Sequence, residues 1–249
     1  MTIKWVTGFF DFPVQGFEAG RDFWLGITGY ALSPPRGPHG DFATLVPGEG
    51  DAYLRVQRIY DGAAGCHIDF HAADCGRLAA RADALGARRV LTEDGLAVFS
   101  SPGELSFCVS DENGGPTTPL AARWPGGAVT RLDQFCLDIP ADAYDAECKF
   151  WADLTGWEVR DSPLPEFQYL ARPGGMPLRL LLQRTARQPG TAVRAHPDLA
   201  CSGVGAEMAR HVKLGATWSH NGDRWITMRD PAGLDYCITR RDPGSPSRD

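Results

Sequence analysis

Two short strand-like segments of this 249-residue chain carry a histidine and an aspartate two positions apart. They are Cys66-His67-Ile68-Asp69-Phe70 and Ala195-His196-Pro197-Asp198-Leu199. In an extended strand, side chains two positions apart point to the same face, so each histidine can meet its aspartate. Such a pair can carry general acid–base catalysis, or it can be structural, with the carboxylate fixing the histidine tautomer. The sequence leaves both interpretations open.

The histidine–aspartate segment belongs to a longer pattern that occurs twice. Three landmarks share a spacing of 129 positions: His67 with His196, Leu85 with Leu214, and Cys108 with Cys237. Upstream, Phe23-Trp24 and Phe150-Trp151 are 127 positions apart. Such a constant spacing predicts a duplicated domain of about 120 residues.

Apolar periodicity divides each half again into two strand–helix–strand modules. In the first half it predicts strands at 6–12, 42–46, 53–58, 66–72, 96–100 and 105–109, and helices at 16–27 and 76–85. In the second half it predicts strands at 135–139, 168–171, 178–183, 194–201, 224–228 and 235–239, and helices at 142–154 and 205–214. The fold class is therefore α+β, in four modules.

The domain boundaries follow from the repeat and from composition. We expect domain 1 at residues 1–112, a linker at 113–127, domain 2 at 128–241 and a disordered tail at 242–249. The linker carries Asn113-Gly114-Gly115-Pro116 and Pro125-Gly126-Gly127, a composition typical of flexible connections. At this length each half can bury a core of its own.

The order of the motifs resembles the vicinal oxygen chelate superfamily, which includes glyoxalase I, extradiol dioxygenases and the bleomycin and fosfomycin resistance proteins. The shared features are a helix entered through Phe-Trp and left through Thr-Gly, a strand beginning His-x-Asp, a Leu-Gly-Ala helix end and an Asp-Pro-x-Gly turn. The resemblance implies tandem glyoxalase-like domains. Each would consist of two βαβββ modules whose curved sheets form a cleft.

Strand parity within that fold sorts the residues of the first cleft. His67, Asp69 and His71 should face the cleft, while Ile68 and Phe70 pack on the helix. His67 and Asp69 are the candidates for catalysis. The candidates for ligand binding are His71, Phe9, Asp11, Arg55, Gln57, Ser106 and Cys108.

The resemblance also raises the question of a metal. Metal-dependent members use a His or Gln on the first strand, a His on the paired module and a Glu on each closing strand. Gln134 and His196 match the first two positions in the second half, but Cys237 takes the place of the glutamate, as Cys108 does in the first half. We therefore predict no cofactor, with Gln134, His196 and Cys237 as the remaining candidates for a divalent metal.

Composition excludes several classes of partner. The net charge of −6 and the pI near 5.5 argue against nucleic acid, and no window is apolar enough to span a membrane. Seven cysteines without a C-x-x-C pair indicate reduced thiols rather than a disulfide framework. We expect a cytoplasmic protein, monomer or homodimer, whose partner is a small molecule.

Three functions remain open, and whether the protein is an enzyme is one of the questions. The first is a metal-free binder of a small, partly aromatic ligand, as in the resistance or sequestration members of the superfamily. The second is a metal-independent isomerase, lyase or cyclase of specialised metabolism that uses His67 and Asp69. The third is a metal-dependent glyoxalase or dioxygenase.

Overall fold

The computed structural model describes residues 2–111, 115 and 117–244. Part of the predicted linker and tail, residues 113, 114, 116 and 245–249, lies outside the described residues, as does the predicted end of domain 1 at residue 112. The first half holds α1 (Phe17–Thr28), α2 (Cys75–Ala84), β1 (Ile3–Pro13), β2 (Ala31–Leu32), β3 (Phe42–Val46), β4 (Leu54–Ile59), β5 (Gly65–Ala72), β6 (Arg88–Glu93), β7 (Leu96–Ser100) and β8 (Ser106–Asp111).

The second half repeats this order after a short strand in the predicted linker. Its elements are β9 (Ala122–Arg123), β10 (Val129–Pro140), α3 (Tyr144–Thr155), β11 (Glu158–Asp161), β12 (Phe167–Ala171), β13 (Arg179–Thr185), β14 (Arg194–Cys201), α4 (Val204–Lys213), β15 (Thr217–Asn221), β16 (Trp225–Arg229) and β17 (Asp235–Thr239). Helices α1 and α3 end at Gly29 and Gly156, which have φ of 73° and 70°. The left-handed conformation there suits glycine and explains the Thr-Gly helix ends.

Each half forms one sheet, and the two sheets have the same strand order. The first runs β2-β3-β4-β1-β5-β8-β7-β6 and the second β11-β12-β13-β10-β14-β17-β16-β15, with β9 paired to β10. In the first sheet Asp69 pairs with Cys108 between parallel strands, and in the second Asp198 pairs with Cys237 in the same way. This confirms the predicted α+β fold of tandem βαβββ modules.

Four of the five strands that were absent from the sequence prediction are the outer strands in the strand orders of the two sheets. They are β2, β6, β11 and β15, and the fifth is the two-residue β9. Every described residue of β6 and β15 is exposed, and so are both residues of β2. A strand exposed on both faces carries no apolar alternation, which is the signal that sequence analysis uses.

The chain also divides into two compact units that differ from its sequence halves. Unit 1 consists of Met1–Gly8, His67–Pro116 and Phe135–Ala195, and unit 2 of Phe9–Cys66, Thr117–Gln134 and His196–Asp249. Each unit combines one module of the first half with one of the second, whereas the sequence analysis expected each half to bury a core of its own. The proposed domain boundaries stay a prediction.

Unit 2 shows why modules of different halves combine. Phe23 and Trp24 of α1 pack on Tyr236 of β17, with ring centroids 5.6 and 5.4 Å away. The Trp24 indole also donates a hydrogen bond of 2.9 Å to Asp230, in the turn before β17. The apolar face of a first-half helix is therefore covered by second-half residues.

Unit 1 is built in the same way from the other two modules. Phe107 of β8 contacts Phe150 and Trp151 of α3, with ring centroids 5.8 and 5.2 Å away. Phe70 of β5 completes the cluster, 6.1 Å from Trp151.

Among the described residues, no helix is both long and apolar enough to cross a membrane.

Candidate functional site

The first histidine–aspartate pair lies buried in unit 1. His67 and Asp69 are neighbours on one face of β5, with His67 Nε2 3.6 Å from Asp69 Oδ1. Cys108 lies beside them on β8, and the three ligand-type atoms of His67, Asp69 and Cys108 all lie within 4.8 Å of one another. Strand parity therefore brings these three predicted residues together.

The Asp69 carboxyl is the unusual group in this cluster. The residue is 5% exposed, and its Oδ1 has no hydrogen-bond partner among the described residues. A buried carboxylate oxygen without a donor is unfavourable by several kcal/mol relative to water, so folded proteins rarely keep one without a purpose. This oxygen faces His67 and can accept a hydrogen bond from a bound molecule.

His71, the third polar residue on this face of β5, has a different environment. It is 1% exposed, with Nε2 2.8 Å from Thr7 Oγ1 and Nδ1 3.0 Å from Ser110 Oγ. Both ring nitrogens therefore have partners within unit 1. This arrangement gives His71 a structural role, and its predicted role in ligand binding stays a prediction.

The other predicted first-half residues are divided between the units. Ser106 is an exposed residue at the start of β8 in unit 1. In unit 2, the Arg55 guanidinium lies 5.5 Å from the ring centroid of the buried Phe9, a cation–π contact. Asp11 and Gln57 are half-buried in the same unit. The ligand-binding role of these residues stays a prediction.

The second pair, in unit 2, has an internal partner. His196 Nε2 lies 3.4 Å from Asp198 Oδ1, while Asp198 Oδ2 accepts a hydrogen bond from Gln134 Nε2. The Gln134 carbonyl accepts one of 2.8 Å from Arg241 Nη1. The Arg241 side chain has only donors and an ionised aspartate only acceptors. The Gln134 amide must therefore turn its oxygen to Arg241 and its nitrogen to Asp198. Gln134 is therefore occupied on both sides.

Cys237 completes the second cluster as a protonated thiol. Its Sγ lies 3.6 Å from His196 Nε2 and 3.5 Å from Thr227 Oγ1. Burial is the main cause that raises the pKa of Cys237 above its ordinary value, followed by the negative charge of Asp198. A thiol with a raised pKa is a poor nucleophile.

Comparison with known proteins places this arrangement in a family. The model of a family described as a glyoxalase-like domain matches residues 9–110 and again residues 134–239. The chain belongs to this glyoxalase-like family. The two matched segments fall in the two sequence halves, as the internal repeat predicts.

Solved structures with the same fold are distant in sequence. A 2,2',3-trihydroxybiphenyl 1,2-dioxygenase from Sphingomonas wittichii strain RW1 is 15% identical, with a TM-score of 0.63 over 96% of this chain and 90% of its own. An extradiol ring-cleaving dioxygenase from B. fuscum is 16% identical, with a TM-score of 0.63 over 100% and 74%. A 4-hydroxymandelate synthase mutant from Streptomyces coelicolor is 12% identical, with a TM-score of 0.60 over 97% and 93%. At this identity the likeness shows the fold alone.

The chain has no significant match among curated proteins. The chemistry of this glyoxalase-like protein therefore has to be argued from its own residues. Gln134 and Cys237, which stand at the positions of two family metal ligands, bear on whether the second half can hold a metal ion.

Two second-half residues at the positions of family metal ligands do not fit that role. The oxygen of Gln134 that would coordinate a cation faces the Arg241 guanidinium. The closing position, occupied by a glutamate in metal-dependent members, is Cys237, and the three ligand-type atoms that lie within 4.8 Å of one another in this half belong to Cys136, His196 and Asp198. In the first half the equivalent opening residue is Thr7, whose hydroxyl contacts His71, which leaves His67, Asp69 and Cys108 as the donors.

Arg241 and Asp133 were missed by sequence analysis. Arg241 lies two residues beyond the end of β17 and forms an ion pair with Asp133, which is 4% exposed at the middle of β10. No motif distinguishes this arginine, because its role depends on a contact over 108 positions of the sequence. Only the pairing of strands in unit 2 brings the two residues together.

Proposed function

We propose that the first half of this glyoxalase-like protein binds a small, partly aromatic molecule without a catalytic metal, and that Asp69 accepts a hydrogen bond from it. The observation that carries the proposal is the buried Asp69 Oδ1, which has no donor among the described residues. A ligand hydroxyl or N–H would supply that donor. His67 and Cys108 line the same position.

The difference between the two halves supports the choice of the first. In the second half the Gln134 amide donates to Asp198. The residue 127 positions before Gln134 is Thr7, whose side chain lies 2.8 Å from His71 instead. The first half thus lacks the internal amide that donates to Oδ2 of the equivalent aspartate, and a ligand donor can take its place. Oδ1 of Asp198, like Oδ1 of Asp69, has no donor among the described residues.

The names of structurally similar proteins suggest the class of test ligand. One is named a 2,2',3-trihydroxybiphenyl 1,2-dioxygenase, and another structure is described as a variant of homoprotocatechuate 2,3-dioxygenase in complex with HPCA. Phenols carry an aromatic ring and a hydroxyl donor in one small molecule. We therefore propose phenols and catechols as the first compounds to screen.

Thermal shift with a panel of phenols and catechols tests the proposal. A ligand at a hundred times its dissociation constant should stabilise the folded state by about 2.7 kcal/mol. We expect Asp69→Ala, which removes the acceptor, and His67→Ala to abolish this stabilisation and His196→Ala, the matched change in the second half, to leave it intact. A ligand whose effect survives both first-half changes and disappears with His196→Ala would show that the site is in the other half.

Metal analysis belongs to the same experiment. We expect the purified wild-type protein to hold no stoichiometric transition metal and the ligand to bind equally well with EDTA present. About one Fe, Mn, Ni or Zn per chain, lost on His67→Ala or Asp69→Asn, would favour the third function, a metal-dependent glyoxalase or dioxygenase. The close approach of His67, Asp69 and Cys108 would then describe its ligands.

Metal-independent catalysis is the second candidate, and the His67–Asp69 distance of 3.6 Å favours it. A small contraction would give a hydrogen bond in which the carboxylate orients the imidazole as an acid or base. An isomerase, lyase or cyclase would convert the bound compound, and a binder would return it unchanged. Recovery of the ligand by mass spectrometry after prolonged incubation separates the two.

A further inference from the structure

We infer that Arg241 supplies the cation of the second-half cluster and thereby excludes a divalent metal ion from it. The inference concerns unit 2 and does not depend on the ligand proposed for the first half. It gives Arg241, Asp133 and Gln134 a joint role that neither motif nor family assigns.

The guanidinium donates in three directions to three different partners. Nε donates to Thr239 Oγ1 at 3.2 Å and Nη1 to Gln134 Oε1 at 2.8 Å. Nη2 is paired with the Asp133 carboxylate. A planar fork held at three points is a fixed positive charge rather than a mobile surface arginine.

The position of this charge is what keeps a metal away. Gln134 stands at the opening-ligand position and would have to offer its carbonyl oxygen to the ion. That oxygen faces Arg241, and the amide on the other side donates to Asp198. A divalent cation would therefore be repelled by the guanidinium and would have to break both hydrogen bonds to gain the oxygen.

Removing the arginine would leave a set of groups that suits a metal. Asp133 and Asp198 are 4% and 3% exposed, and Asp133 would lose the cation with which it is paired. His196 lies 3.4 Å from Asp198 and 3.6 Å from Cys237. Oxygen and imidazole ligands around excess negative charge are suitable for Mn²⁺ or Zn²⁺.

Titration calorimetry with Mn²⁺ and with Zn²⁺ tests the inference on the full-length protein. We expect Arg241→Ala to bind one equivalent of metal at least tenfold more tightly than wild type. That gain should disappear in the double variant Arg241→Ala/His196→Ala. Arg241→Lys, which keeps the positive charge, should resemble wild type.

An exposed arginine in the same unit provides the matched control. Arg229 forms an ion pair of 2.7 Å with Asp235, and its side chain is 55% exposed. Its change to alanine should leave metal affinity unchanged. If Arg241→Ala does not fold, Arg241→Gln removes the positive charge and keeps a side chain that can hydrogen-bond to Asp133, and we expect the same gain.

Two results would overturn the inference. One is wild-type protein that binds a metal in a manner abolished by His196→Ala or Gln134→Ala. The other is a folded Arg241→Ala protein, with the circular dichroism of wild type, whose metal affinity has not risen. Metal bound by first-half residues would still bind to every His196→Ala protein. A failure of the first-half ligand proposal can therefore be distinguished from a failure of this inference.

Discussion

At the scale of residues, each unit keeps one buried carboxylate that accepts a tryptophan indole N–H. In unit 2 it is Asp230, bonded to Trp24 at 2.9 Å and to the backbone of its own turn. In unit 1 it is Glu147 on α3, bonded to Trp151 at 2.8 Å and to the Ser101 hydroxyl in the corresponding turn. Both units thus pair a helix tryptophan with a buried carboxylate. In unit 2 the carboxylate lies in the turn, and in unit 1 it lies on the helix.

Burial of Glu147 leads to a testable pH dependence. Desolvation raises its pKa, although hydrogen bonds from Gly103, Trp151 and Ser101 partly oppose this. A raised pKa means that the neutral form is favoured in the folded state, so its stabilisation is present at low pH and lost as pH rises through the folded value. We expect wild type to gain stability relative to Glu147→Gln as pH falls from 7 to about 4, by at most about 1.4 kcal/mol per pH unit.

Chemical denaturation at several pH values measures this difference. Glu93→Gln, at an exposed position of β6, is the control and should follow wild type across the range. A constant difference between wild type and Glu147→Gln at all pH values would contradict the assignment.

At the scale of elements, helix α1 contains two interior glycines with different surroundings. A Cβ at Gly20 would lie 2.7 Å from the ring of the fully buried Phe12. A Cβ at Gly26 would lie 3.3 Å from the end of the Leu214 side chain, which is 39% exposed and able to move. Alanine is favoured over glycine in a helix by about 1 kcal/mol. Packing around the added Cβ therefore decides whether a change to alanine stabilises or destabilises the protein at each position.

The two glycines therefore give opposite predictions for alanine. We expect Gly26→Ala to stabilise the protein by about 0.5 kcal/mol, since it restricts the unfolded chain at little steric cost. Gly20→Ala should destabilise it by about 1 to 2 kcal/mol, because the aromatic core cannot make room. Urea denaturation of the two variants measures both, and two changes of the same sign would contradict this account of α1.

At the scale of the whole molecule, the compact units do not correspond to the sequence halves. Helix α1 of the first half packs on Tyr236 of the second within unit 2, and Phe107 packs on Trp151 within unit 1. A chain cut between the halves would expose both aromatic clusters. Because such surfaces supply most of the stabilisation of a small domain, neither half should be stable alone.

Expression of residues 1–112 and 113–249 as separate chains tests this prediction. We expect each chain alone to lack a cooperative thermal transition and the mixture of both to recover one. Cooperative unfolding of residues 1–112 in isolation would show that the first half has a sufficient core of its own.

Much of the fold could be predicted from the sequence because it depends on local patterns repeated at a constant spacing. The helices, the inner strands and the shared face of His67 and Asp69 follow from periods of 3.6 and 2 residues. The duplication then predicted that His67 and His196 would occupy equivalent strands, which the pairing of Asp69 with Cys108 and Asp198 with Cys237 confirms.

Only the tertiary structure decided which polar groups have partners. Thr7 and Gln134 occupy equivalent positions, yet one contacts His71 and the other joins Arg241 to Asp198. The combination of modules into units was likewise decided by contacts over long stretches of chain. Sequence periodicity reports which face of an element is apolar, whereas the partner of a buried polar atom depends on which elements the folded chain brings next to it.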